Sequence, residues 1–323
     1  MNAPTPTAPE LPDYAPIPDS ALGPVLSEQG YFVGRVERNL FWVTDATYIA
    51  AFLTTPEGVV LFDAPPTIGH NLQRAIDEVT AKEGMPSTVT HLVYSHHHAD
   101  HAGAADLFGT DVVRIGHEET RRLLLRDNDP TRPAPEVTFS ETFTLQVGGE
   151  RAELAFHGPN HSPDNIFIHF PDHDALMLID VMNPGWVPIY NLNLTEDVPG
   201  YLDAPEIALG YEWSHYIGGH LGRLGTRDDL LVHQAYVGDI VASLQSALGS
   251  VDPTPYFVHY GANAWAGVHG YLSAVTEAAT APVVEKYTGV LASADVKELT
   301  YTTTFTIMQS MRLDLGTGSQ VHP

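Results

Sequence analysis

The stretch "HLVYSHHHADHAGAADLF", His91 to Phe108, constrains this chain more than any other. Its apolar start, His91 to Tyr94, reads as a buried strand. That strand runs straight into His96, His97, His98, Asp100 and His101, and helical text resumes at Ala102–Phe108. In an extended segment, side chains two apart share a face. His96 and His98 can therefore grip one ion while His97 turns away. Where the chain bends toward the helix, Asp100 and His101 can face the same cavity. Each pair falls short of the ligand set a bound ion needs, so the cluster requires partners from elsewhere.

Three positions offer them, each where a strand gives way to a loop. His161 lies in "HGPNHSPDN", Asp180 ends the apolar "ALMLID", and His220 ends "YIGGH" after two glycines that let the backbone pack close. A carboxylate at the edge of a buried strand needs a cation or hydrogen-bond donors. The chain has no cysteine, so a metal site here is built from imidazole and carboxylate alone.

The surrounding text alternates between strands and helices. "YFVGRVERNLFWVTD" and "TYIAAFLTTPEGVVLFDAPP" read as strands, the second containing a turn at Pro56-Glu57-Gly58. Leu72, Ile76 and Val79 predict a helix over 69–83 that Gly84 stops. "DVVRIG" predicts a strand and 117–126 a helix. "ETFTLQVGG", "RAELAFHG", "NIFIHF" and "ALMLID" are four more strand-sized runs. Thr226 predicts the N-cap of a long helix that Gly249 ends. Residues 1–28 are a Pro-rich arm, which either wraps the body or dangles. Residues 29–249 carry the strand–helix body. Residues 250–323 add helical text and a β-like end, "ELTYTTTFTIMQSMRLDL". Strand groups alternating with helices in two halves suggest a layered α/β body with sheets inside.

These residues carry a resemblance. "SHHHADH" matches the His-x-His-x-Asp-His signature of the metallo-β-lactamase superfamily, and His161, Asp180 and His220 follow in the order that family uses. "VVLFDAPP" resembles its strand ending in Asp near the active site. The likeness covers roughly residues 31–235. It implies an αββα four-layer sandwich, two mixed sheets flanked by helices, here with a C-terminal extension packed on the same body. It also implies two divalent metal ions, zinc by default, with iron, manganese or cobalt accepted by the same donors. One ion would take His96, His98 and His161 and the other Asp100, His101 and His220, with Asp180 bridging. Asp63, Ser95 and Asn165 are candidates to orient the ligands.

Such a site implies a hydrolase in which a metal-bound hydroxide attacks a carbonyl and Asp100 passes its proton to the leaving group. Fifteen Lys+Arg against forty Asp+Glu, a formal charge of −25, exclude nucleic acid and anionic membranes as partners. The C-terminal third is sparse in basic residues that could hold an anionic thioester. That leaves a small neutral or apolar ester, lactone or amide as substrate. β-Lactamase or thioesterase action on the same site is the alternative. Trp186, Tyr190, Tyr211 and Trp213 are candidates for an apolar pocket, although core packing is the commoner fate of such residues. The ligand set resembles that of quorum-signal lactonases, but Asn183 stands where those carry a tyrosine three residues after the bridging aspartate. Two further readings are a mononuclear iron persulfide dioxygenase using His96, His98 and His161, and a metal-binding protein without activity. A homo-oligomer is compatible with this text. The N-terminus has no basic n-region or apolar core and no run is long enough to span a bilayer, which points to the cytoplasm.

Overall fold

The structure, a computed structural model, describes residues 11–314. A seven-stranded sheet is ordered as in the sequence: β1 (Phe32–Glu37), β2 (Leu40–Thr44), β3 (Ile49–Thr55), β4 (Gly58–Phe62), β5 (Val89–Val93), β6 (Val113–His117) and β7 (Val137–Phe139). Its first four strands form an antiparallel meander, and β4 to β7 run parallel. The second sheet contains β8 (Thr142–Val147), β9 (Glu150–Ala155), β10 (Phe167–Phe170), β11 (Ala175–Met177) and β12 (His215–Ile217). Its order is β12-β11-β10-β9-β8, and only β11 and β12 pair in parallel.

The period-2 alternation of strands builds the layers. In β3 every residue is buried. Ile49, Ala51 and Leu53 face the second sheet, where Leu154, Ile168 and Phe170 meet them. Ala50 and Phe52 face the other way, toward Leu72 and Ile76 of helix α1 (Asn71–Glu83). A strand buried on both sides needs a layer on each, so helices must cover the outer face of both sheets. The first sheet is covered by α1 and, through Leu124, by α3 (Glu118–Asp127), which follows the short α2 (Ala99–Ala102). On the second sheet, Phe167, Leu176 and Leu178 pack with α5 (Val198–Leu209), α6 (Arg227–Ser250), α8 (Ala264–Tyr287) and α9 (Lys297–Leu313); the short α4 (Tyr190–Leu194) precedes α5 and α7 (Thr254–Tyr260) precedes α8. The order is helix, sheet, sheet, helix, as the resemblance implied.

Local signals place most boundaries. Gly84 adopts the left-handed conformation (φ 68°) that closes α1. Thr226 caps α6 in a capping box with Asp229. Gly249 does not end that helix, which continues to Ser250. The larger correction is the β-like end. Residues 297–313 are helical, because Thr300, Thr303, Thr304, Ile307, Met308 and Met311 recur at helical spacing and are buried. Burying that stripe against α6 and α8 outweighs the strand preference of threonine and tyrosine. Residues 1–10 of the arm and 315–323 lie outside the described residues. From Leu11 onward the arm has one short turn at Asp19–Ala21, and the buried Ala21 carbonyl accepts a hydrogen bond from the Trp186 indole (3.2 Å). Among the described residues no helix is long and apolar enough to cross a membrane.

His233, on the buried face of α6, is 4% exposed, and its Nε2 has no hydrogen-bond partner. Burial pushes its pKa down to about 4. The folded state therefore disfavours a proton that the unfolded chain takes up near pH 6.5. Stability is full above that pH and falls as pH drops toward 4, by about 3 kcal/mol from this group. His233→Leu is expected to lack that share of the acid sensitivity. Urea midpoints of both proteins at pH 7 and pH 4.5 check it, and an identical loss in the two would refute the assignment.

Candidate metal centre

The ligand-type residues arrive on five loops, all at one edge of the two sheets. After β5, Ser95 donates its N–H to Asp63 Oδ1 (2.8 Å). Asp63 follows β4, is fully buried and holds a left-handed backbone (φ 62°). Burial raises its pKa to about 6. The Ser95 hydroxyl lies 3.0 Å from His96 Nδ1. An Nδ1–H donating to that oxygen leaves Nε2 as the free lone pair, and Nε2 is buried without a hydrogen-bond partner. His97 turns away, as alternation requires, and its Nδ1 meets Asp164 Oδ1 at 2.8 Å.

His161 is brought in by its asparagine-rich loop. Asn165 Nδ2 donates to Asn160 Oδ1 (2.8 Å) and to the Ile179 carbonyl (2.9 Å), tying that loop to the segment leading into Asp180. Asp180 lies three residues beyond β11, with φ 64°. Its N–H donates to the Gly218 carbonyl (3.1 Å). The two glycines before His220 have the predicted use. A Cβ on Gly218 would strike the Met182 carbonyl oxygen. On Gly219 (φ 92°) it would sit 2.8 Å from Ile179 Cγ2 and 3.1 Å from His101 Cε1. The Ile49 N–H donates to the Gly219 carbonyl (2.8 Å) and Leu221 N–H to that of Thr47 (3.0 Å), so His220 is held against the start of β3.

All seven side chains converge. His96, His98, His161 and Asp180 form one group, and Asp100, His101, Asp180 and His220 a second; in each, one ligand atom per residue lies within 4.8 Å of the others. Asp180 is common to both. Its Oδ2 lies 3.1 Å from His101 Nε2, 3.2 Å from His161 Nε2 and 3.6 Å from His96 Nε2, and its Oδ1 lies 3.0 Å from His220 Nε2. Asp100 Oδ2 is 3.6 Å from His101 Nε2 and 3.7 Å from His220 Nε2. His161 Nε2 faces His98 Nδ1 at 3.0 Å, and His101 Nε2 faces His220 Nε2 at 3.2 Å. Two imidazole lone pairs at that distance repel unless a proton or cation lies between them. With the buried His96 Nε2, which meets no hydrogen-bond donor or acceptor, the arrangement fits divalent cations with nitrogen and oxygen ligands.

The electrostatics agree. Burial works against the Asp180 charge, yet His101, His220 and His161 hold its carboxyl well below the usual range. Burial also opposes a proton on His101, but Asp180, Asp100 and Asp63 raise it to about 9. Burial keeps His96 well below its ordinary pKa and takes His161 down to about 4, so both present neutral, ligating imidazoles at pH 7.

The cluster floors a cavity of about 350 Å³. Its wall differs from the expected one. Trp213 is buried in the core, Tyr211 packs on His157, Phe167 and His169, and neither Trp186 nor Tyr190 lines the cavity. Proximity in sequence to a metal loop did not translate into proximity in space, because the chain turns away into α5 and the second-sheet core. The aromatic at the site is Tyr48, whose ring centroid is 4.7 Å from that of His220. Burial, then Asp100 and Asp180, raise its pKa, so it stays a neutral phenol. Nothing in "TYIAAF" marks it, since its place depends on the contact between β3 and the His220 loop. Asn183 does line the cavity, together with Ile189, Asn193, Leu194 and Leu221. Glu196, also unmarked in the sequence, stands 3.5 Å from His98 Nε2.

The metallo-beta-lactamase superfamily model (Lactamase_B) matches residues 41–223. The chain belongs to that superfamily. Among curated relatives it is 28% identical over 203 residues to 2,4-dinitroanisole O-demethylase subunit alpha of Nocardioides sp. (strain JS1661), a match covering 60% of this chain and 58% of that one. It is 26% identical over 140 residues to metallo-beta-lactamase type 2 of Elizabethkingia meningoseptica, covering 43% and 54%. The chain thus spans a little over half the length of these relatives. A metallo-beta-lactamase structure from Pontibacter korlensis shares the fold, with a TM-score of 0.53 at 20% identity, and covers 64% of this chain and 97% of its own. In this superfamily member, Gly219→Ala is expected to displace His220 and weaken metal binding by about 10–100-fold with the fold retained. Chelator competition measures the loss, and wild-type affinity would show that the close approach is dispensable.

Proposed function

We propose that the protein is a dinuclear metal-dependent hydrolase acting on a small neutral or apolar ester, lactone or amide. One observation carries this reading: two four-residue ligand groups share Asp180 beneath a cavity whose lining, among the described residues, contains no lysine or arginine. A substrate recognised through an anionic group would lack a partner there, whereas Tyr48, Ile189, Leu194 and Leu221 suit an uncharged one. A bound ion pair, zinc by default, would supply a water activated near neutral pH and polarise the scissile carbonyl. The completeness of the second group, Asp100, His101 and His220, favours two ions over one.

The chain's own residues divide the remaining work. Asp180 and the five histidines fix the floor of the cavity. Asp100 directs Oδ2 toward His101 and His220 while its side chain stays 39% exposed, so its free Oδ1 can hold the proton taken from water and return it to the leaving group. Tyr48, neutral and beside His220, offers a hydroxyl to the substrate. The resemblance of the ligand set to that of quorum-signal lactonases makes a lactone one candidate within the class, with Asn183 in place of their tyrosine as the departure that speaks against it.

A second reading is hydrolysis of a neutral aryl ether. It is favoured by the relative named as an O-demethylase of 2,4-dinitroanisole, a neutral compound that suits a lining of Tyr48, Ile189, Leu194 and Leu221 without lysine or arginine. Elemental analysis beside a screen of γ-lactones, aryl esters, thioesters, cephalosporins and nitroaryl ethers separates these substrates. His98→Ala and Asp180→Ala are each expected to lower metal content and turnover together, turnover by about a hundredfold or more. Full activity in both variants would overturn the assignment.

A further inference from the structure

Four successive non-glycine residues bordering the cavity are wound left-handed: Asn191 (φ 54°), Leu192 (59°), Asn193 (55°) and Leu194 (58°). L-residues avoid this conformation, above all in a run, and it persists only where the surroundings impose it. On the outer side the Asn191 N–H donates to Thr302 Oγ1 and the Leu192 N–H to Thr303 Oγ1, both at 3.2 Å, so α9 supplies the acceptors. On the inner side Asn193 Nδ2 donates to the Asp180 carbonyl (3.2 Å) and to the Tyr201 hydroxyl oxygen (3.1 Å), while Asn193 Oδ1 accepts from the Ile189 N–H (2.8 Å). Beyond the turn, the Glu196 N–H donates to the His161 carbonyl (2.9 Å). The segment is thus a strap joining the Asp180 and His161 loops to the C-terminal helix. It also carries Ile189, Tyr190 and Leu194, which are 51%, 46% and 58% exposed, and the first and last of these line the cavity.

We propose that Ile189–Leu194 is the lip that selects substrate by gripping its apolar aryl or acyl part, and that α9 sets the shape of this lip through Thr302 and Thr303. The proposal rests on the hydrolase reading for the identity of the ligand, not for the geometry of the strap. Winding the strap left-handed turns Leu194 toward the cavity mouth and keeps Asn193 hooked to Asp180. Without the two threonine hydroxyls the Asn191 and Leu192 N–H groups lose their acceptors, the outer side of the run is released from α9, and the lip loosens.

Thr302→Val/Thr303→Val removes both acceptors at nearly constant volume, and Leu194→Ala removes the apolar grip directly. In the double variant, amides 190–195 are expected to exchange about tenfold faster, with metal content unchanged. In both variants the affinity for 2-naphthol, a neutral aryl probe followed by calorimetry, is expected to fall about fivefold. The kcat/KM preference for 4-nitrophenyl octanoate over the acetate is expected to fall by a similar factor, through KM. Unchanged exchange and unchanged naphthol affinity, or a wild-type protein that does not bind naphthol, would overturn the proposal. If wild type binds naphthol, the variants lose it, and the metal-loaded protein hydrolyses no ester, then the hydrolase reading falls while the lip stands.

Discussion

Four imidazole nitrogens lie within 3.6 Å of the Asp180 carboxylate, and the rest of the molecule is arranged to hold that charge there. A buried ion costs several kcal/mol unless it is paired and hydrogen-bonded. Asp180 is 4% exposed, and what pairs it is drawn from positions spread between His96 and His220. The seven side chains can meet only if the loops that carry them leave the sheets on the same side. Two sheets packed face to face provide this, because β4, β5, β9, β11 and β12 end near one edge and their loops need to travel only a few residues to converge.

Backbone exceptions gather at the same edge. Asp63, Asp180 and Leu221 have left-handed φ values of 62°, 64° and 61°, and Gly219 has 92°. Each non-glycine case costs about 1–3 kcal/mol, which the sandwich core can absorb and a smaller fold could not. What the strained turns accomplish is direction. They turn Asp63 back to the Ser95 amide, aim the Asp180 oxygens at both ligand groups and let His220 approach His101 to 3.2 Å. The hydrogen bonds that secure these turns come mainly from the backbone, Asp63 N–H to Val93, Asp180 N–H to Gly218, Ile49 N–H to Gly219 and Leu221 N–H to Thr47, and the Asn165 and Asn193 side chains add two more around Asp180.

Legibility in the sequence followed the range of the interaction responsible. The strands, α1 and the α6 cap are written in short-range periodicity and capping residues, and they fold where those signals stand. The ligand cluster was legible because His96 to His101 are adjacent and because His161, Asp180 and His220 each sit at a strand-to-loop junction. The C-terminal α9 was misread because Thr300, Thr303 and Thr304 favour strands locally, and only burial against α6 and α8 makes them helical. Tyr48 and the pocket wall were invisible for a related reason. Tyr48 becomes part of the site through a contact with a loop that follows it by more than 170 residues, whereas Trp213, close in sequence to His220, is carried into the core.

The left-handed strap shows why such features escape sequence reading and why they bear on function. "YNLNL" does not predict a run of reversed winding, since glycine, its usual signal, is absent, and Asn191 and Asn193 tolerate the left-handed conformation only as single residues. The instruction lies instead in two threonine hydroxyls on α9 and in the hold of Asn193 on Asp180. The catalytic floor is therefore made by the sheet loops, which the superfamily match covers, and its outer wall is shaped by a helix beyond residue 223, where that match ends. A member of this superfamily can change the wall without disturbing the floor, because the hydrogen bonds that shape the wall reach the ligand-type residues only through the backbones of Asp180 and His161.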